Sequence, residues 1–359
     1  MKKISLGILI LSNTWGGTEN IIEIIAKNID KEKFYVNLLV NDFLYHKYKR
    51  IRSVNVVNLG SLESNKKVKK IYSIFKIRYK LLKSIKKFKI EILQAQLENT
   101  ILLLGICLNQ INIPLIFALK GDETEIYHNP KTLEHLIISK FLDMIFKNKH
   151  TTIISVSRWL IKDYSKRIRN KIKVICNGVD NRKFRPLNLK RIENSILFAG
   201  RYVEKKGIRN LLKVAGDLKE YNFIFAGIGP LRNLINLPNT KDLGFRQKNE
   251  LVNLYNTADI CVFPSKNEAF GNVCLEAMSC GACVIVTNSG FSEIVEDGKD
   301  GLIIEPDNAK ELKKAILMLI QNQELKARLR ENARKKALLY DIKKSVVKYQ
   351  DLYMRVAAK

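Results

Sequence analysis

No apolar run in this 359-residue chain reaches the roughly 18 residues that a membrane-crossing helix needs, so no transmembrane span is expected. The first residues, Met1-Lys-Lys-Ile-Ser-Leu-Gly-Ile-Leu-Ile-Leu11, carry the charge and apolar stretch of a signal peptide. That stretch is short, however, and leads into Ser-Asn-Thr-Trp-Gly-Gly without a small-residue cleavage site, which reads better as a first buried strand. Cysteine is sparse. All six, at 107, 176, 261, 274, 280 and 283, fall inside apolar stretches, which argues against a disulfide framework and for reduced, buried thiols in a cytosolic protein. Cys280-Gly-Ala-Cys283 has the spacing of half a zinc site, but no second pair accompanies it and the four histidines are scattered, so no metal site is expected. No internal repeat is evident. No nucleic-acid recognition motif occurs, and the basic residues are not interleaved with aromatics as a stacking platform requires. A pI near 9.8 would still attract any polyanion, which keeps a polyanion-binding protein without catalysis as a rival class.

The length implies two domains, each able to bury a core of its own. A hydrophobic content of 46% with 27% charged residues places the chain among soluble globular proteins. Short β-rich runs alternate with amphipathic helical stretches, the pattern of an α/β protein with parallel sheets covered on both faces. Ile4 to Leu11, Phe34 to Val40, Val54 to Leu59, Glu91 to Gln96, Pro114 to Leu119, Thr151 to Val156 and Lys173 to Cys176 are candidate strands of a first domain. Ile196 to Ala199, Phe223 to Ala226, Ile260 to Phe263, Cys283 to Thr287 and Leu302 to Ile304 are candidates for a second. Asn181 to Glu193 is polar, carries a proline and reads as the linker. The expected division is 1–185, 186–340 and a terminal helix over 341–359 with Val346, Val347, Tyr349, Leu352 and Tyr353 on its apolar side.

The most informative stretch runs from Pro264-Ser-Lys-Asn-Glu-Ala-Phe-Gly-Asn-Val-Cys-Leu-Glu276 to Thr287. Asn272 to Ser279 read as a short helix, opened by Gly271 and Asn272 and stopped by Gly281, with Glu268 in the preceding loop and Glu276 in the early turns. In an unbroken helix the two carboxylates would stand about 12 Å apart, whereas a loop lets both face one ligand. A helix start with free N–H groups favours phosphate, and a carboxylate beside it suits vicinal hydroxyls. Phosphate and hydroxyls together suggest a sugar nucleotide.

This segment resembles the donor site of the retaining family 4 glycosyltransferases, and other motifs stand in the order of that family. They are Gly16-Gly17-Thr18-Glu19, Val174-Ile-Cys-Asn-Gly-Val-Asp180, Phe184-Arg-Pro186, Gly200-Arg201 with Lys206-Gly207, Gly227-Ile-Gly-Pro230 and Leu243-Gly-Phe245. The resemblance is close over 170–310 and looser before. It implies the GT-B fold: two doubly wound Rossmann-like domains facing a central cleft, an acceptor-side domain first and a donor domain second. A C-terminal helix then crosses back to the first domain. It also implies transfer of a sugar from a nucleoside diphosphate-sugar, UDP by family frequency, to a glycan or lipid-linked acceptor with retention of configuration. Arg201 and Lys206 would stabilise the departing diphosphate and Glu268 would hold the donor sugar, as the catalytic set. Gly16, Gly17, Phe270, Gly271, Asn272 and Glu276 would bind substrate, Glu276 through the ribose. Two cations at the diphosphate make a metal unnecessary, and the chain has no Asp-x-Asp metal signature, so no cofactor is expected. A GT-B sugar-nucleotide epimerase is the alternative enzyme. Many members of the family carry His after the fifth strand where this chain has Leu119-Lys120-Gly121-Asp122-Glu123; Lys120 is either a cation for substrate or a solvated strand-end lysine.

Charge is the second large signal. The net charge is +28, and residues 1–190 hold 36 Lys and Arg against 15 acids. Lys66 to Lys89 contains eleven basic residues and no acid, while Ile71, Ile74, Phe75, Leu81, Leu82, Ile85 and Phe88 keep a helical period through it. A basic amphipathic helix of this kind suits an anionic membrane surface, where each cation near the headgroups is worth about 1 kcal/mol. The alternative is an ordinary helix packed on the sheet with its lysines solvated. The membrane reading makes the enzyme cytoplasmic and peripheral on the inner face of the cell membrane, and places it in bacterial surface polysaccharide or glycolipid synthesis.

Overall fold

The computed structural model describes residues 2–62 and 67–358. It divides into two compact units, one of Met1–Cys176 with Ser345–Lys359 and one of Asn177–Lys344. The division therefore falls before 185, because the segment expected as a linker is tied into the second unit. Phe184 is buried, and its carbonyl accepts from Ser279 Oγ (2.5 Å). Asn256 bonds both Leu187 N–H and the Arg185 carbonyl. Arg191 donates to the carbonyls of Tyr255, Ala258 and Gly281.

The first unit is built on seven parallel strands, β1 (Ile4–Ile10), β2 (Phe34–Val40), β3 (Asn55–Asn58), β4 (Ile92–Gln96), β5 (Leu115–Leu119), β6 (Thr151–Ser155) and β7 (Ile172–Val174). Their order is β3-β2-β1-β4-β5-β6-β7. Pairing starts at Ile4↔Phe34 between β1 and β2 and at Leu6↔Ile92 between β1 and β4. Near-continuous apolar strands such as β5, buried along its whole length, are what a sheet covered on both faces requires. From β1 the chain first winds toward β3 and then returns to β4 and winds the other way. With right-handed crossovers, helices Gly17–Asn28 and Asp42–Tyr48 take one face, and helices Lys67–Lys87, Glu98–Cys107 and Leu133–Lys147 the other. Glu98–Cys107 packs against both its neighbours on that face. Its Gly105 seats the Phe141 ring, which a Cβ would meet at 2.1 Å.

The C-terminal helix Ile342–Ala357 joins the first unit from Ser345 onward. Tyr353 meets the Phe34 ring at 5.8 Å and donates to Gln94 Oε1 at 2.6 Å. Val346, Tyr349, Leu352 and Tyr353 are buried, but Val347 is 51% exposed, since it sits one step round the helix from the buried stripe. The same correction applies on Lys67–Lys87. Ile74 and Leu81 are buried together with Ile77, whereas Phe75 points outward. Lys66, and the side chain of Ile71, lie outside the described residues.

The second unit has six parallel strands, β8 (Ile192–Ala199), β9 (Asn222–Ala226), β10 (Thr240–Asp242), β11 (Ala258–Phe263), β12 (Cys283–Thr287) and β13 (Leu302–Ile304), in the order β10-β9-β8-β11-β12-β13. This is again a doubly wound sheet, with the winding reversed between β8 and β11. β10 is not among the strands expected from sequence: Thr-Lys-Asp is polar, and the strand lies at the sheet edge with one neighbour. All six cysteines are free, and five are buried. Asp259, near the start of β11, is buried and holds Lys326 (2.8 Å) and Arg330 (2.6 Å), of which Lys326 is also buried. Removing the anion would leave two cations without a counter-charge in the interior. Asp259→Ala is therefore expected to lower stability by about 3–5 kcal/mol, read as a shift in urea midpoint against wild type.

Candidate functional site

In a doubly wound sheet, ligands gather at the carboxyl ends of the strands where the winding reverses. In the second unit those ends belong to β8 and β11, and the loops after them carry most of the residues singled out from sequence. The two loops touch through backbone. Gly207 has φ +70°, and a Cβ there would lie 1.8 Å from the Pro264 carbonyl oxygen. Lys266 N–H donates to the Lys205 carbonyl at 2.9 Å. The short turn Glu204–Lys206 thus delivers Lys206 to the β11 loop, where its Nζ donates to Glu268 Oε2; the two side chains are 17% and 18% exposed. Glu268 is itself held by its backbone, its carbonyl accepting from Gly290 N–H at 2.8 Å. Arg201 is exposed and makes no ion pair or side-chain hydrogen bond among the described residues.

Helix Asn272–Ser279 begins at the residue expected from sequence. Gly271 caps it at φ +94°, and a Cβ would strike the Phe291 ring at 2.3 Å, so glycine is required on both conformational and steric grounds. The first N–H groups of the helix have no intrahelical acceptor. Asn272 Oδ1 accepts from Asn177 Nδ2 at 3.0 Å, and the Asn177 Oδ1 is buried without a partner among the described residues. Sequence reasoning assigns Asn177 no role; its place inside the Val174 to Asp180 motif is the signal that could have found it. Phe270, by contrast, packs its buried ring on Tyr340 at 6.0 Å, which leaves only its backbone to face a ligand.

Glu276 stands one turn into this helix on the side of Asn272. No hydrogen bond or ion pair engages its carboxyl among the described residues. Burial pushes that carboxyl up to about 7, against the pull of Lys248 and Lys183. The Tyr255 hydroxyl nearby is buried without a partner among the described residues, and burial and the Glu276 charge both raise it. The loops after β8, β9 and β10 are joined by Asp242, which accepts from Tyr202 Oη (2.8 Å), Arg232 Nε (2.6 Å) and Gly244 N–H (2.8 Å). The sequence motifs include the Gly227 and Gly244 turns beside it but not Asp242. No three His, Cys, Asp or Glu side chains converge as a metal cluster among the described residues.

The remaining predicted positions belong to the first unit. Gly16 caps helix Gly17–Asn28, and its N–H donates to Glu19 Oε2 at 2.9 Å, the one half of a capping box that glycine can make, after β1. Lys120 is not a solvated lysine. Its Nζ donates to Tyr349 Oη at 3.0 Å, over that ring at 5.7 Å, while its N–H donates to the Glu123 carboxylate.

Comparison with known proteins agrees with these motifs. A model of "Glycosyltransferase Family 4" matches residues 15–183, and a model of "Glycosyl transferases group 1" matches residues 179–336. An uncharacterised glycosyltransferase of Methanocaldococcus jannaschii is 31% identical over 253 residues, 68% of this chain and 69% of the relative. The chain belongs to the family 4, group 1 glycosyltransferases. A further relative of this glycosyltransferase is the N,N'-diacetylbacillosaminyl-diphospho-undecaprenol alpha-1,3-N-acetylgalactosaminyltransferase of Campylobacter jejuni. It is 28% identical over 305 residues, 77% of this chain and 80% of that one. Among solved structures, Anabaena HepE in complex with UDP-glucose superposes with a TM-score of 0.79 at 18% identity, covering 98% of this chain and all of that one. The glycosyltransferase accordingly has the GT-B fold.

The raised Glu276 carboxyl makes a prediction about the ligand-free glycosyltransferase. An acid whose folded pKa lies above its unfolded value of 4.5 adds stability below that value and loses it as pH rises through about 7. Glu276→Gln removes this loss, so its melting temperature should exceed that of wild type more at pH 8 than at pH 5. The difference should correspond to about 1–3 kcal/mol. A gap that stays constant across this range would show that Glu276 titrates normally.

Proposed function

We propose that this glycosyltransferase moves a sugar from a nucleoside diphosphate-sugar to a glycan or lipid-linked acceptor with retention of configuration. The observation that carries the reading is a grouping at one reversal of winding. It comprises Arg201, unpaired among the described residues, the Lys206–Glu268 pair, a glycine-opened helix start and the unpartnered Glu276 carboxyl. Two cations and a set of free N–H groups suit a diphosphate. A half-buried carboxyl without a partner suits the vicinal hydroxyls of a ribose, which supply the hydrogen bonds it lacks.

Arg201 and Lys206 then stabilise charge on the departing diphosphate, the step where electrostatic catalysis is largest. Glu268, oriented by Lys206, accepts from hydroxyls of the donor sugar. Gly271 and Asn272 offer the helix start, Phe270 its backbone, and Asn177 holds Asn272 in place. Gly16 and Gly17 contribute backbone at the first unit's own helix start. No metal takes part, since the cations neutralise the diphosphate. UDP is the favoured nucleotide, in keeping with the UDP-glucose bound by HepE.

A lipid-linked acceptor agrees with the diphospho-undecaprenol in the Campylobacter relative's name and with the basic helix Lys67–Lys87. No helix among the described residues is long and apolar enough to cross a membrane. In this reading the enzyme binds peripherally to the inner face of the cell membrane and acts in surface polysaccharide or glycolipid synthesis. Thermal shift against a panel of nucleotide-sugars identifies the donor, and nucleoside diphosphate release is then measured with and without acceptor. Acceptor-dependent release is expected; conversion of the donor sugar without release would make the protein an epimerase. Lys206→Ala should lower kcat roughly 100-fold with a stability change of about 1 kcal/mol. Near-normal turnover in that variant would remove Lys206 from the mechanism.

A further inference from the structure

Sixteen large apolar side chains are exposed among the described residues, and seven of them lie on just two helices of the first unit, Lys67–Lys87 and Leu133–Lys147. On Lys67–Lys87 they are Tyr72, Phe75 and Tyr79, each more than half exposed. Their spacing of three and then four residues sets them on one side of the helix, opposite the buried Ile74, Ile77 and Leu81. On Leu133–Lys147 they are Leu133, Leu136, Ile137 and Met144, between 40% and 74% exposed. These too keep a helical period, while Ile138, Leu142, Ile145 and Phe146 face inward. Charge singles out the first helix in the sequence; the second carries no such mark.

The topology relates the two. Both lie on the same face of the first sheet, and helix Glu98–Cys107 packs between them. The outer surface of one helix layer therefore carries two apolar stripes. Cations accompany each stripe. Lys76 lies over the Tyr72 ring at 4.5 Å, and Lys83 and Lys86 come later on the same helix. Lys140 stands within the second stripe and Lys149 just beyond its helix, while Lys131 is paired with Glu125 and Lys147 with Asp143. An apolar stripe beside a lysine-rich helix is the composition of a surface that sinks shallowly into an anionic bilayer, where apolar groups enter the acyl boundary and ammonium groups reach the headgroups.

We infer that the outer face of this helix layer is a membrane-docking surface in which Leu133, Leu136, Ile137 and Met144 supply the inserted apolar edge and the lysines of both helices contact anionic headgroups. The inference rests on the membrane part of the proposed function and adds to it a second helix and a mode of attachment that charge alone does not provide. Binding through lysines alone would vanish at high salt, because surface charges are screened over about 3 Å at 1 M ionic strength; apolar insertion leaves a residual, salt-resistant fraction.

The test is flotation of the full chain with vesicles of phosphatidylglycerol and phosphatidylcholine, and with phosphatidylcholine alone, at low and high salt. Two variants are compared, L133S/I137S/M144S and K76E/K83E. Wild type should float with the anionic vesicles and keep part of its binding at high salt. The serine variant should bind at least ten-fold more weakly and lose the salt-resistant part, at an unchanged melting temperature. Wild type that does not float overturns the membrane reading altogether. Wild type that floats alongside an equally bound serine variant overturns only the second helix, leaving the basic helix as the attachment. A dimer in solution that the serine variant abolishes would assign the face to a second copy of the chain and overturn the inference.

Discussion

β8 and β11 are separated by two strands and two helices in sequence, yet they run side by side, and the loops at their carboxyl ends are pressed together as a result. The contact is backbone against backbone: Gly207 leaves no room for a side chain above the Pro264 carbonyl. The central polar pair of the candidate site depends on that approach. Lys206 reaches Glu268 only because its turn is held against the β11 loop. Glu268 in turn is fixed from the far side by Gly290, another position where a Cβ would collide with its carbonyl. Deeper in the unit, Asp259 with Lys326 and Arg330 anchors β11 at the opposite end.

The electrostatics of the site are unequal. Lys206 and Glu268 neutralise one another, while among the described residues Arg201 has no partner and Glu276 is half-buried without one. A ligand bringing both anionic phosphate and donating hydroxyls meets the needs of both unpaired groups. Water reaches the exposed Arg201 freely and the half-buried Glu276 less so, and the second of these is the stronger reason to expect a ligand there. Among the described residues the first unit shows no such concentration of unmet polar groups around Gly16, whose N–H is taken by Glu19. Its unusual surface is instead apolar, on the outer side of the helix layer.

Much of this is legible in residue order. Cys283–Thr287 and Asn272–Ser279 match the expected bounds to the residue, because a strand rich in β-branched residues and a glycine near each end of a helix are local signals. The departures are equally physical. Thr240–Asp242 has no strand character of its own and pairs only because β9 offers an edge. The stretch from Asn181 has the polarity of a linker, yet Phe184, Arg191 and Asn256 bind it into the second unit through bonds to residues far away in sequence. Phe75 and Val347 are apolar yet fall on the outward sides of their helices, because only the packing on the sheet decides which side is covered.

Residue order alone is enough to establish two parallel α/β units, the glycines at sharp turns and the kinds of side chain available to a sugar nucleotide. These depend on local sterics and on periodicity, which any short window of sequence contains. It could not reveal that Lys206 would meet Glu268, that Asn177 would brace Asn272, that Tyr349 would claim Lys120, or that two distant helices would share one face. Each of those is a contact between segments brought together by strand order. Strand order is set by packing and crossover handedness over the whole sheet, and no single segment encodes it.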